Sequence, residues 1–190
     1  MLPSRRRGWL AVLGLPALLS GCAHQPPTIT AMDRVDLPRF MGDWYVIAHI
    51  PSRFERRAHN AIESYTLAPD GRVLTTFQYR NDGFDTALKT MRPVGTVRPG
   101  SGDAVWDMQF IWPIRAEYVI SYVDADYRQT IIGRSKRDYA WVMARTPTIS
   151  EAEYAHLQQK LRDLGYSLEG LRRVPQRWPE TAADARPAVR

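Results

Sequence analysis

The sequence predicts an all-β fold, an antiparallel barrel or sandwich that carries one helix, and three observations predict it. Short runs alternating apolar and polar residues succeed one another through the middle of the chain. Clusters of turn-forming residues separate them, and one segment near the end switches to helical spacing. The 190 residues suffice for one domain with a sizeable core, and a composition of 44% hydrophobic and 24% charged residues is that of an ordinary folded protein.

Taken in order, the alternating runs fall at 43–50, 61–68, 72–80, 88–98, 104–112, 117–123, 129–134 and 140–145, eight in all. Turns are signed by Pro69-Asp70-Gly71, Asn81-Asp82-Gly83, Pro99-Gly100-Ser101-Gly102 and Asp124-Ala125-Asp126. The connection 51–60 is longer, contains Arg53, Arg56 and Arg57, and is placed to cover a barrel mouth. The clearest period of two sets Ala104, Trp106, Met108, Phe110 and Trp112 on one face and Asp107 and Gln109 on the other. In a sandwich these large side chains fill the core; in an eight-stranded barrel they line a cavity for one small ligand, and alternation does not choose. The helix begins at a Ser150/Glu153 capping box downstream of Pro147. Tyr154, Leu157, Leu161 and Leu164 then recur at helical spacing up to Gly165, so the apolar stripe should dock on the outside of the sheet.

The flanks differ in composition. Three arginines, Arg5 to Arg7, precede an apolar run from Trp9 to Leu19 that Gly14 and Pro16 interrupt. A membrane-crossing helix needs about 20 apolar residues, so this run suits an export signal instead. It ends at Leu19-Ser20-Gly21-Cys22, which resembles the lipobox at which bacterial signal peptidase cuts before a lipid-modified cysteine. Cys22 is the only cysteine, so residues 1–21 read as a signal peptide and the mature fold has no disulfide. The resemblance implies two or three acyl chains, enough for stable anchoring. Ala23, where Asp would signal inner-membrane retention, points to the outer membrane with the domain facing the periplasm. Ser4-Arg5-Arg6-Arg7 loosely resembles a twin-arginine signal, which leaves the export route open. Residues 22–36 read as a tether, 37–175 as the domain, and 176–190, with Pro179 and Pro187, as a disordered tail. Loss of the signal removes three of the six net positive charges, and no nucleic-acid motif accompanies the rest.

Three further stretches resemble the bacterial lipocalins. Gly42-Asp43-Trp44-Tyr45 follows Leu37-Pro38-Arg39-Phe40-Met41; Arg53-Phe54-Glu55-Arg56 comes next; and Asp124, Tyr127 and Arg128 lead into Arg137-Asp138-Tyr139, Trp141-Val142 and Arg145-Thr146-Pro147-Thr148-Ile149-Ser150. The resemblance covers about 36–174. It implies an eight-stranded up-and-down barrel with the C-terminal helix outside and a short ninth strand near 171–174. It also implies that Trp44 closes the base under the Arg145 guanidinium, and that Gly42 lets the chain turn beneath the barrel.

Function is then a matter of the cavity. Candidate inward residues are Phe77 and Tyr79; Trp106, Met108, Phe110 and Trp112; Tyr118 and Tyr122; and Trp141 and Met143. Such a lining suits flexible acyl chains, and the resemblance implies a lysophospholipid or a fatty acid as ligand. Glu63, two residues before the inward Tyr65, falls on the inner face, where it either meets a cationic lipid head or pairs with an inward Arg or Lys. An envelope enzyme is the competing reading. Against it, His24, His49, His59 and His156 are scattered without metal-ligand spacing, and Ser101 lacks a nucleophile elbow. No cofactor or metal is expected, a homodimer is left open, and a structural lipoprotein with a filled core is the third reading.

Overall fold

Each alternating run becomes a strand because extension lets one set of side chains be buried while the backbone pairs on both sides. The computed structural model describes residues 27–52 and 55–180. The elements are α1 (Leu37–Phe40), β1 (Gly42–Ile50), β2 (Ala58–Leu67), β3 (Val73–Asn81), β4 (Leu88–Met91), β5 (Val94–Val97), β6 (Val105–Ile111), β7 (Ile114–Val123), β8 (Gln129–Gly133), β9 (Ala140–Ala144), α2 (Glu151–Asp163) and β10 (Arg172–Arg173). Neighbouring strands pair antiparallel in meander order, and β1 also pairs with β9 from Tyr45↔Ala144 to Ile50↔Ala140, which closes the barrel. The expected strand at 88–98 is two pieces. The break falls at Arg92-Pro93, where proline has no N–H to give the ladder while its carbonyl accepts from Thr75 N at 3.1 Å. β4 and β5 together make one stave, so the barrel has eight.

Because the strands alternate in direction, the turns at 69–71, 99–102 and 124–126 share one end, and the loops at 51–57, 82–87, 112–113 and 134–139 share the other. The first end is shut. α1, a short helical turn that the strand pattern did not foretell, starts where the Asp36 side chain accepts from Arg39 N. It tucks the buried Phe40 under the barrel, 5.0 Å from the Trp44 ring. Trp44 Nε1 donates to Phe40 O at 2.8 Å. Over the indole lies Arg145, its guanidinium carbon 3.8 Å from the ring centroid. That guanidinium also donates to the carbonyls of Asp43, Arg39, Phe40 and Tyr127 at 2.7–3.2 Å. Gly42 begins β1 at φ +89°, a conformation that strains any residue with a Cβ.

α2 has the expected capping box, with Glu153 N donating to Ser150 Oγ and Ser150 N to the Glu153 carboxylate. Its buried face, Tyr154, Leu157 and Leu161, packs on the outside of the barrel against Val119, Ile131, Val142 and Ala144.

Both flanks are more ordered than composition implied. Residues 27–36 lie along the barrel, with Ile29 and Val35 buried and Met32 N donating to Ile120 O at 2.9 Å. Gly102 is what lets them pass, since a Cβ there would stand 1.9 Å from Asp33 O. At the other end the expected tail is pinned from 176 to 180. β1 and β2 pair only between Gly42↔Tyr65 and Tyr45↔Ile62, and above that the two strands part. β10 and the residues after it fill the split. Ala48 and His49 pair with β10, Asn60 N donates to Pro175 O, and Gln176 Nε2 donates to both Val46 O (2.8 Å) and Ala61 O (3.2 Å). Glu180 then pairs with the buried Arg80 at 2.8 Å. Isolated anchors such as Ile29, Trp178 and Glu180 carry no period, so only packing reveals them. Cys22 and the leader lie outside the described residues.

Arg145→Ala should cost about 2–4 kcal/mol in urea unfolding, from one cation–π contact and several charge-assisted hydrogen bonds. Arg145→Lys should recover less than half of that, because an ammonium cannot serve the planar set of carbonyls. Full recovery by lysine would contradict this account of the closure.

Candidate functional site

The barrel interior is built from the inward positions of all the staves. Nearest the shut end, Phe40 meets Trp106 edge-on at 5.7 Å, and Trp106 stacks on Tyr118 at 4.9 Å and 6°. The Tyr65 and Tyr118 hydroxyls bond to each other across the barrel, and Trp106 Nε1 donates to Asp103 O at 2.8 Å. These side chains are at most 2% exposed, so no water-sized gap lies beside them. Of the two interiors that alternation left open, filled or lined, this end shows the filled one. At the closed end the rings of opposite walls reach one another and fill the space.

Above this floor Phe77 stacks on Tyr79 at 4.8 Å, and Trp141 lies 5.2–6.2 Å from Tyr139, Tyr118 and Phe77. Met108 and Met143 are buried in the same cluster, while Phe110, Met91 and Tyr139 are half-buried at its edge. Seven of the ten expected lining residues thus share the inner face, with Phe110 nearer the mouth. Two do not. Trp112 is 82% exposed at the tip of the β6–β7 hairpin, past a register shift between Gln109 and Ile111. Tyr122 faces outward, because a register shift between Ile120 and Tyr122 reverses the parity of β7; its ring lies edge-on to His156 at 6.1 Å.

The same device brings in a residue that strict alternation placed outside. A register shift between Val46 and Ala48 in β1 puts His49 opposite Trp141, on the inner face. It is 1% exposed and neither ring nitrogen has a hydrogen-bond partner. Burial, with the charge of Arg172 behind it, pushes its pKa down to about 3. Glu63, inward as expected, is also 1% exposed, and its Oε2 has no partner. Among the described residues no Arg or Lys pairs with it, so the ion pair envisaged from the sequence is not found. Burial raises the Glu63 carboxyl to about 8, and the nearby Glu55 adds to the rise. Glu55, contributed by the loop at the mouth, is itself buried and shifted upward by desolvation, against which Ser52 N donates to it at 3.2 Å. The Trp141 indole sits beside Glu55, yet its Nε1 makes no hydrogen bond of good geometry. A separate concavity of about 670 Å³ lies outside the barrel, between residues 30–34, β7 and α2, and is open to solvent.

The buried groups set the sign of a pH dependence. Between about pH 3 and 6.5 the unfolded chain binds a proton at His49 that the folded chain refuses, so stability falls on acidification through that range. Between about pH 4.5 and 8 the folded chain holds a proton at Glu63 that the unfolded chain has lost, so stability falls as pH rises. The two cancel between about 4.5 and 6.5, which is where thermal stability should plateau. Glu63→Gln should remove about 2 kcal/mol of the loss seen between pH 6.5 and 8, measured by urea unfolding at each pH. An unchanged alkaline limb would refute the assignment.

Known proteins share this architecture. The lipocalin-like domain family matches residues 35–176. Temperature-induced lipocalin-1 of Arabidopsis thaliana is 30% identical over 154 residues, covering 75% of this chain and 80% of that one. The outer membrane lipoprotein Blc of Citrobacter freundii is 30% identical over 139 residues, covering 70% and 76%. Among solved structures, insecticyanin of the tobacco hornworm Manduca sexta superposes with a TM-score of 0.62 at 12% identity, covering 86% of this chain and 90% of that one. With the closed eight-stave barrel and the helix on its flank, these matches place the chain in the lipocalin family.

Proposed function

We propose that this protein is a lipid-binding lipocalin, anchored through Cys22, that stores or shuttles an amphipathic lipid such as a lysophospholipid or a fatty acid in the cell envelope. The observation that carries this reading is the mouth of the barrel, where half-buried Met91, Phe110 and Tyr139 overlie buried Met108, Met143 and Trp141. Methionines repack at low cost, so an acyl chain can be admitted above the ring floor by displacing them. Each methylene moved from water to such a lining gains about 0.8 kcal/mol, whereas relative to a bilayer the gain is near zero. Lipid can therefore be exchanged with a membrane, as a carrier requires. Beside the mouth, Ile111, Trp112 and Ile114 stand 68–82% exposed on one hairpin tip, an apolar prominence suited to touching the surface from which ligand is taken.

Relatives named outer membrane lipoproteins support the anchor and its location in the outer membrane. Membership of the lipocalin family supports a binding role over an enzymatic one. His49 is buried with neither ring nitrogen hydrogen-bonded, and His156 lies on the outside against Tyr122.

Titrating the full chain with lysophospholipid should quench tryptophan fluorescence saturably, and Trp141→Phe should remove most of the signal. Silence would favour a filled structural barrel, and appearance of a hydrolysis product would favour an enzyme. Cys22→Ser should move the protein from the membrane to the soluble fraction.

A further inference from the structure

The exposed apolar surface of the barrel is concentrated at one point. Among the described residues, the large hydrophobic side chains more than two-thirds exposed are Ile111, Trp112 and Ile114, all at the tip joining β6 to β7. Phe110, at the edge of the inner lining, immediately precedes Ile111, so apolar surface runs from the tip into the mouth. Such side chains are unfavourable in water and favourable at a bilayer interface. The loops around the tip carry a positive surplus. Their exposed carboxylates are already neutralised, Asp82 by Arg57, Asp85 by Arg177 and Asp138 by Arg134. Arg56, Lys89, Arg115 and Lys136 are exposed at the same end, and among the described residues none of them has a carboxylate partner.

The course of residues 27–36 shows which end of the barrel an N-terminal anchor serves. Arg137 donates to Pro27 O, and Ile29 N donates to Ser135 Oγ at 3.2 Å, both partners lying in the 134–139 loop at the mouth. Met32 N then reaches Ile120 O within β7, and Val35 N reaches Gly102 O in a turn of the shut end. The segment therefore descends the outside of the barrel, with its upstream end beside the mouth. Cys22 is five residues before Pro27, and five fully extended residues span at most about 18 Å. β1 alone has nine residues, about 30 Å of strand and, with strand tilt, about 20–25 Å of barrel height. A shut end turned toward the bilayer would lift Pro27 beyond the reach of the anchor, whereas an open end turned toward it leaves slack.

Resting on the anchored-carrier reading above, we infer that the open end of the barrel is a docking surface for an anionic bilayer. The β6–β7 tip sets Ile111, Trp112 and Ile114 below the head groups, and Arg56, Lys89, Arg115 and Lys136 face the lipid phosphates. The mouth then opens onto the leaflet that holds the anchor. An amphiphile passes between bilayer and lining along Ile111 and Phe110 without crossing water.

The test places a fluorescent label at either end of the barrel. The full chain is expressed in a bacterial host, purified and reconstituted into vesicles of phosphatidylcholine and phosphatidylglycerol. Cys22 is the only cysteine and is acylated in this reading, so Ile114→Cys at the tip and Asp126→Cys at the shut end each supply one thiol for the label. Urea unfolding midpoints matching the unaltered protein show that the variants fold. Phosphatidylcholine spin-labelled near its head group should quench the label at 114 at least about threefold more than that at 126. Adding Ile111→Ser and Trp112→Ser should bring quenching at 114 down to the level at 126. Omitting phosphatidylglycerol should lower it about twofold. Equal quenching at the two positions, or stronger quenching at 126, in vesicles that retain the protein overturns the inference and leaves the carrier standing. Indifference to phosphatidylglycerol overturns the part given to the four basic residues. Protein that does not stay with the vesicles overturns the Cys22 anchor, and the docking with it.

Discussion

Curling a sheet into a barrel removes its edges but creates two ends, and the interior stays dry only if one of them is sealed. Here the seal is one guanidinium. Arg145 covers the Trp44 indole while gathering carbonyls from α1, from the start of β1 and from the turn before β8. It thereby holds together segments about a hundred residues apart. Phe40, Trp44 and the ring floor above them rest on this base, and the depth left to a ligand is measured from it.

The inside of the barrel is not uniformly apolar, and its polar content is graded. At the floor every polar atom is spoken for: Tyr65 and Tyr118 bond to each other, Trp106 to Asp103, and Trp44 to Phe40. Higher up, Glu63, His49 and Trp141 retain unpaired atoms. Natural interiors rarely tolerate such groups without a use, since each costs about 1–3 kcal/mol. The contrast between a satisfied floor and an unsatisfied level above it is one of hydrogen bonding and not of room, since the side chains of both are buried.

Much of this was legible in the residues. The alternation of β6 gave the inner Trp106 and Met108, the capping box gave α2, and Glu63 stood out as a carboxylate on an apolar face. What was not legible has one dominant physical cause. An irregularity in β1 turned His49 inward, another in β7 turned Tyr122 outward, and a third in β6 preceded the exposed Trp112. A bulge adds one residue to one strand, and a period-two reading reverses beyond it without any mark in local composition. Pro93 did leave a mark, since a proline inside an expected strand signals a break. The ordered flanks were missed for another reason: Ile29, Val35, Trp178 and Glu180 act singly, through contacts distant in the chain.

The wedge formed by β10 and Gln176 has a consequence for how the molecule comes into being. The upper wall between β1 and β2 is completed by residues more than a hundred positions downstream, so although the lower ends of the two strands pair directly, the split above them cannot be filled until nearly all of the polypeptide is available. Contacts of such high sequence separation form late and slowly. A nascent chain emerging vectorially would stay open along this seam until its last segment arrived.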